Sequence, residues 1–431
     1  MRRSIKRFAE VLALVLVFSP TAIPAQTIAI TGGRVFPVSG PPIENGTVLI
    51  SGGKITAVGA GIAVPEGARR IDATGKWVTP GLINASTQLG VAEVGMVSMT
   101  RDDIARGRDQ IAAAFNVWEG LNTNSALFWP TRDEGVTSVI VVPGGGGLIW
   151  GQAAFVNLVD GFLSDMVIRA PVAMAAQLGN PAQGGTNARG ELFMRLRELL
   201  EDTRYFAANR RAFERAETRQ FAASRLDLEA MIPVVEGRLP LLVVVNRASD
   251  IDALLNLARE YRIRLIIASG AEAWMLADRI AAAGVPVLTG AMNNIPLNFS
   301  ALAQRQENAA LLRRAGVTVL LIGNAGGGDE ESFNVRNIKQ EAGNAVAYGM
   351  SWDDALRAVT LLPAQLFGVG DRLGALQAGM DADVVVWSGD PFEFSTRAEH
   401  VIIRGVERDT FNRQEQLTER YKTLPPNFRQ P

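Results

Sequence analysis

Histidine and cysteine, the side chains that most often carry metal-ion and nucleophilic chemistry, are almost absent from this 431-residue sequence. There is one histidine, His400, and no cysteine. The absence of cysteine excludes a disulfide framework, a thiolate zinc site, an iron–sulfur cluster and a cysteine nucleophile. No serine–histidine–aspartate triad can be built on His400, which lies in a β-rich segment near the end of the chain. We interpret it as a surface or sheet residue.

Three polar segments remain as candidates for binding. The glycine run 144–147 could present N–H groups to an anion, although such runs are more typical of loops with unusual φ angles. The acidic segment 326–331 could bind a cation, but acids placed just before a helix commonly complement its dipole. Arg247 could hold the carboxylate of a ligand or form a salt bridge with Asp250 or Asp252.

These groups are set in a long middle region, 77–370, in which short apolar runs alternate with helical patterns. Near-continuous apolar runs are typical of parallel strands covered on both faces, and their alternation with helices favours a (β/α)-barrel or a doubly wound sheet. The runs lie at 77–83, 136–142, 172–176, 241–245, 265–268, 285–288 and 317–322. That makes seven strands, and the pattern does not locate an eighth. The Arg-rich stretch 189–229 is predicted to be a helical excursion with a solvated face.

Both ends of the region are flanked by β-rich sequence. Segments 27–38 and 47–58 are rich in Ile, Val and Thr, and Asn45-Gly46 between them predicts a hairpin turn. Short strands are predicted again at 382–387 and 401–406. We therefore expect one small β-sandwich built from the two ends of the chain.

The first 25 residues have the features of an export signal. Basic residues (Arg2, Arg3, Lys6, Arg7) precede a short apolar stretch at 11–18, and Ala25 ends a plausible cleavage site. The apolar stretch is too short to cross a bilayer, which takes about 20 residues. We expect a secreted, periplasmic protein without membrane contact after cleavage. Its net charge of −1 gives no sign of a nucleic-acid partner.

Several short motifs, in order along the chain, resemble the amidohydrolase superfamily in its imidazolonepropionase-like and dihydroorotase-like branches. They are Gly32-Gly33-Arg34-Val35, Gly53-Lys54-Ile55, Ile71-Asp72-Ala73, Thr79-Pro80-Gly81-Leu82-Ile83 and, near the end, Gly379-Met380-Asp381-Ala382-Asp383. The resemblance implies a TIM-like (β/α)8 barrel over 77–370 and a composite β-sandwich over 27–76 and 371–415, with a signal peptide at 1–25 and a tail at 416–431. It also implies hydrolysis of non-peptide C–N bonds, with the chemistry at the carboxyl ends of the strands.

The sequence departs from the family where the metal ligands should stand. Ser86 and Gln88 occupy the positions of the first His-x-His pair. Alignment places Ala175 at the carbamylated lysine, Asn246 and Ser269 at the two later histidines, and Asn324 at the aspartate that is both ligand and proton shuttle. The positions implied by the resemblance are therefore Ser86, Gln88, Ala175, Asn246, Ser269 and Asn324.

These replacements remove the chemistry that the family depends on. Zinc is held by imidazole, carboxylate or thiolate in nearly all protein sites, and amides and hydroxyls are weak substitutes. Without a metal, no bound water has its pKa lowered to about 7. We therefore expect no metal or other cofactor.

Three hypotheses about function follow. The protein could bind a small polar ligand without catalysis, pair with a metal-bearing amidohydrolase paralogue, or hydrolyse C–N bonds by metal-independent chemistry. Five of the six positions are polar, which predicts a surviving polar pocket with Arg247 nearby. The alternatives for the pocket are a plug formed by the loop at 144–151 and cover by a partner subunit.

Because the expected ligand positions carry residues that bind metal weakly, we predict that the purified mature protein contains little metal. Elemental analysis should find zinc, iron and manganese well below stoichiometric amounts, and chelator should leave the thermal midpoint unchanged, because no metal contributes to folding. Stoichiometric metal, lost on chelation together with an activity, would contradict the assignment.

Overall fold

The structure is a computed structural model that describes residues 27–95, 97–180, 188–292, 296, 298–323, 334–408 and 413–423. The export signal expected at 1–25, the acidic segment 326–331 and Asn324 lie outside the described residues. Within the described part, no helix has the length and apolar character needed to span a bilayer.

Both ends of the chain contribute to one β-sheet, as the sequence predicts. Its strands are β1 Ile28–Val35, β2 Ile43–Ser51, β3 Lys54–Ala60, β4 Arg69–Asp72, β5 Trp77–Pro80, β14 Val384–Trp387, β15 Ala398–Ile403 and β16 Val406–Glu407. They are paired in the order β16-β15-β14-β5-β1-β2-β3, and β4 pairs with β1. Buried residues from strands at both ends of this order, such as Ile55 and Ile402, belong to one apolar core. The sheet therefore curls around that core.

The barrel contains the second sheet. Its strands are β6 Leu82–Thr87, β7 Val136–Val141, β8 Ile149–Asn157, β9 Val167–Gln177, β10 Leu241–Val245, β11 Leu265–Ser269, β12 Val287–Thr289 and β13 Val319–Leu321. They follow one another in chain order across the sheet, and β13 contacts β6, so the barrel is nearly closed.

The strand that the sequence pattern does not locate is β8, and it runs against its neighbours. It pairs antiparallel with both β7 and β9, whereas the other neighbouring strands pair parallel. Only residues 142–148 join β7 to β8. A crossover between parallel strands takes a dozen or more residues. A connection as short as this one therefore requires the two strands to be antiparallel. The glycine run 144–147 is thus a hairpin connection.

Two expected elements differ in detail. The apolar run 77–83 is two strands that part at Gly81, so β5 belongs to the β-domain and the barrel begins at Leu82 rather than Trp77. A Cβ on Gly81 would lie 2.1 Å from Oγ1 of Thr137, which leaves room only for glycine. Asn45 has the positive φ expected of a turn, 50°, but it lies inside β2 where the pairing with β1 shifts register. It forms a bulge rather than a hairpin turn.

Twelve helices lie in the described residues, and most of them connect strands of the barrel. They are α1 Phe128–Asp133, α2 Leu163–Met166, α3 Arg189–Ala208, α4 Arg210–Glu214, α5 Arg225–Val235, α6 Ala248–Tyr261, α7 Ala277–Ala282, α8 Asn308–Arg314, α9 Ile338–Ala347, α10 Trp352–Ala358, α11 Leu361–Leu366 and α12 Arg413–Tyr421. The helical excursion predicted at 189–229 corresponds to α3, α4 and the start of α5. Residues 271–283 have the apolar spacing of a helix, but the structure has a 3-10 turn, Ala273–Leu276, followed by only the six residues of α7.

A buried carboxylate lies where the β-domain meets the barrel. Asp383 is 5% exposed; it accepts hydrogen bonds from Nδ2 of Asn157 in β8 (2.7 Å) and from the backbone N–H of Arg404 (2.9 Å). Burial raises the pKa of Asp383 to about 6, and these hydrogen bonds oppose the rise. The charged form is therefore disfavoured in the folded protein.

This raised pKa predicts how stability varies with pH. Because the folded pKa lies above the unfolded one, the contribution of Asp383 is fully present below about pH 4 and is lost as pH rises through about 6. Between about pH 5 and 7.5, the free energy of unfolding should fall by roughly 1 kcal/mol more in the parent than in Asp383→Asn. Urea titrations at both pH values measure this, with exposed Asp278→Asn as the matched control. Equal slopes in all three proteins would show that Asp383 is not the group responsible.

Candidate functional site

The barrel mouth, defined here as the edge where the parallel strands β6, β7 and β9–β13 end, receives most of the positions expected from sequence. Ser86 and Gln88 lie at the end of β6, Asn246 directly follows β10, and Ser269 ends β11. In the register of β10 and β11, Val245 is the partner of Ser269, which places Asn246 and Ser269 on neighbouring strand ends. Asn324 comes after β13, outside the described residues.

Ala175 does not reach the mouth. It is fully buried, it is the register partner of Leu242, and it belongs to the apolar cluster that fills the barrel interior. Gln177 is the residue of β9 that points the same way two positions nearer the mouth, since side chains alternate along a strand. It is 3% exposed; its Nε2 donates to the carbonyl of Asn180 at 3.2 Å, and its Oε1 has no hydrogen-bond partner among the described residues. Sequence analysis did not single it out, although the alternation of Ala173 and Ala175 leads to it.

Gln88 is held under two loops. It is 8% exposed, and its Nε2 lies 2.7 Å from the point that a Cβ on Gly144 would occupy. Oδ2 of the fully buried Asp103 lies 2.1 Å from that same point. The carbonyl of Asp103 accepts from the N–H of Gly144 at 2.8 Å, and Arg101 donates to its carboxylate. The hairpin at 144–147 and the long segment after β6 therefore pack together beside Gln88.

Asn246 and Arg247 are engaged within the protein. Oδ1 of Asn246 accepts from the N–H of Ala271 at 3.1 Å, which fixes the turn after β11. Arg247 donates to Asp250 at 2.6 Å, and Arg189 reaches the other oxygen of the same buried carboxylate at 3.0 Å. Of the two roles considered for Arg247, the structure therefore contains the salt bridge to Asp250.

Buried acidic and amide side chains near the mouth form hydrogen bonds with the backbone of its loops. Glu272 accepts from the N–H groups of Ala248 (2.9 Å) and Ala303 (3.1 Å). Glu341 accepts from Ala291 and Met292 in the loop after β12. Asn308 donates to the carbonyl of Gly270 and to Thr289, and accepts from Trp274. These carboxylates are structural acceptors, and sequence analysis did not identify them.

The described residues do not fit the metal that the resemblance implies. No group of three or more His, Cys, Asp or Glu side chains suited to a metal ion occurs among them. Ser86, Gln88, Asn246 and Ser269 supply only neutral hydroxyl and amide groups, and Oδ1 of Asn246 is already bonded. His400 is in β15 of the β-domain, where Nδ1 lies 2.6 Å from Oε1 of Glu407.

Comparison with known proteins decides the family. Residues 254–414 match the model of the amidohydrolase family. The crystal structure of an amidohydrolase from Thermotoga maritima superposes with a TM-score of 0.80 and 26% sequence identity, covering 89% of this chain and 99% of that one. The chain belongs to the amidohydrolase superfamily.

Two relatives agree with this assignment. The amidohydrolase tasK of Hapsidospora irregularis is 25% identical over 398 residues, which cover 84% of this chain and only 39% of the relative. The imidazolonepropionase of Mesorhizobium japonicum is 24% identical over 370 residues, covering 80% of this chain and 87% of the relative. The imidazolonepropionase branch named from the motifs is thus among the relatives of this amidohydrolase-family protein.

Restoring the family's ligands tests whether the expected positions share one site. We expect Ser86→His, Gln88→His, Asn246→His, Ser269→His and Asn324→Asp, made together, to recover zinc binding, because imidazole and carboxylate groups would then replace neutral ones on neighbouring strand ends. Isothermal titration with zinc measures it, and alanine at the same five positions is the control. A folded variant that binds zinc no better than this control would show that the five residues do not converge.

Proposed function

We propose that this member of the amidohydrolase superfamily is exported and binds a small polar molecule at the barrel mouth without metal-dependent hydrolysis. The proposal is supported by the neutral groups at the ligand positions, Ser86, Gln88, Asn246 and Ser269, which are poor zinc ligands. The family's scaffold supports a site at the strand ends. Since unrelated activities share one fold, membership of the family does not by itself establish catalysis.

The observation that carries the proposal is the unpartnered Oε1 of Gln177. A buried acceptor left without a hydrogen bond costs about 1–3 kcal/mol, and buried polar atoms in native proteins are nearly always paired. A ligand that presents an N–H group would satisfy this oxygen. The ligand we propose is therefore a small amide or amine, bound with a donor facing Gln177.

The residues beneath the mouth suit such a ligand. Ala85, Ala175 and Ala268 are buried in the apolar interior of the barrel. Barrel interiors are usually filled by bulkier Val, Ile and Leu side chains, so three alanines favour a wider upper barrel. A ligand with a small apolar part and a polar N–H group would match this combination.

A second candidate is a role as the partner subunit of an intact paralogue. Large apolar side chains are exposed in two loops at the mouth: Val94, Val97 and Met99 after β6, and Phe299 and Leu302 after β12. Exposed apolar groups gathered at one face are typical of protein interaction sites. A metal-bearing relative that docks over the mouth would bury them.

Replacing Gln177 by Met tests the ligand site. In the ligand-free protein, Gln177→Met should raise the free energy of unfolding by about 1 kcal/mol, because a buried unpaired acceptor is replaced by an apolar group of similar size. In a thermal-shift screen of small amides and amino acids, compounds that stabilise the parent should lose their effect in this variant.

Gln152→Met is the matched control, because Nε2 of Gln152 already donates to Asn116 at 3.0 Å. It should not gain stability and should keep the ligand response. The proposal fails if Gln177→Met is destabilised like the control, or if ligands stabilise both variants equally.

A further inference from the structure

A groove lies at the opposite end of the barrel from the mouth. It is bounded by α6, α7 and the amino ends of β10, β11 and β12, and its volume is about 770 Å³. Its origin is the shortness of α7, which has six residues where α6 has fourteen. The strands beside α7 are consequently left partly uncovered.

The floor of the groove is apolar. Leu255, Ile263, Leu265 and Val285 line it and retain between 5% and 8% of their surface exposed, and Leu366 of α11 also lines it. A hydrocarbon placed here would cover that remaining surface, at about 25 cal/mol for each Å² removed from water.

The rim of the groove is cationic. Arg259, Arg264 and Arg279 line it, and no acidic side chain of the described residues does. Arg279 forms an ion pair with Asp252. Arg259 donates to Oδ1 of Asn256 and Arg264 to the carbonyl of Arg238, so neither of these two guanidinium groups pairs with a carboxylate among the described residues.

We propose that this groove binds an amphipathic carboxylate, such as a medium-chain fatty acid. The hydrocarbon lies along the apolar floor, and the carboxylate is held by Arg259 and Arg264, because guanidinium groups bind carboxylates with paired, charge-assisted hydrogen bonds. The volume is within the range of ligand sites in proteins. The groove is independent of the mouth and of the function proposed there.

Decanoate and decanol, titrated calorimetrically below micellar concentrations, test the two halves of the site. Decanoate should bind saturably, and decanol about tenfold or more weakly, because it lacks the charge-assisted contacts. Arg259→Gln with Arg264→Gln should reduce decanoate affinity to that of decanol. Arg70→Gln with Arg211→Gln, which removes two exposed charges elsewhere, should leave it unchanged.

Two further variants complete the test. Ala282→Trp, at an exposed position on the groove, should block both probes by filling it, and Gln177→Met should affect neither. Arginine near the end of a helix also complements the helix dipole, and that role alone would lower stability without changing decanoate binding. The proposal is overturned if decanoate does not bind saturably, if the arginine or tryptophan variants bind it like the parent, or if Gln177→Met abolishes binding.

Discussion

Backbone N–H groups buried at the carboxyl ends of the strands must find acceptors, and the loops around the mouth are arranged by that need. Glu272 and Glu341 each accept from two backbone N–H groups, and Asn246 accepts from Ala271. An unpaired buried N–H is as costly as a lost hydrogen bond, so such acceptors fix the loops as firmly as their apolar contacts do. Asn246 shows the consequence: the position at which the resemblance implies a metal ligand here supports a turn.

The sequence predicted most of the barrel because its parallel strands are buried on both faces and read as apolar runs. The run 265–268 is such a strand, and it begins and ends within one residue of β11. The pattern of apolar runs did not predict the strands correctly where contacts distant in sequence decide the structure. Gly151 and Gln152 interrupt the apolar sequence pattern of β8, which is nevertheless one continuous strand, and its direction is set by the short connection from β7. The run 77–83 looks like one strand, but its two halves belong to different sheets because a close approach of backbone to Thr137 occurs at Gly81.

The site was less predictable than the fold. Alignment with the family named Ala175, but the alternation of side chains along β9 places Ala175 in the interior and Gln177 at the level of the mouth. Whether Arg247 faces a ligand or Asp250 depends on distances between side chains in the folded protein, which the spacing of residues along the sequence does not give. The structural roles of Glu272 and Glu341 were also invisible, since their N–H partners come from loops distant in sequence.

The distribution of polarity along the strands separates a decayed site from a changed one. On the inward face of β9, Ala175 is apolar and buried, while Gln177, two positions nearer the mouth on the same face, is polar. A barrel end that had become core would extend the apolar layer upward, because a buried polar group without a partner is destabilising. Gln177 retains such a group, with an oxygen that finds no partner in the described protein. An unpaired buried acceptor at this level of the barrel supports the proposal that a ligand binds at the mouth.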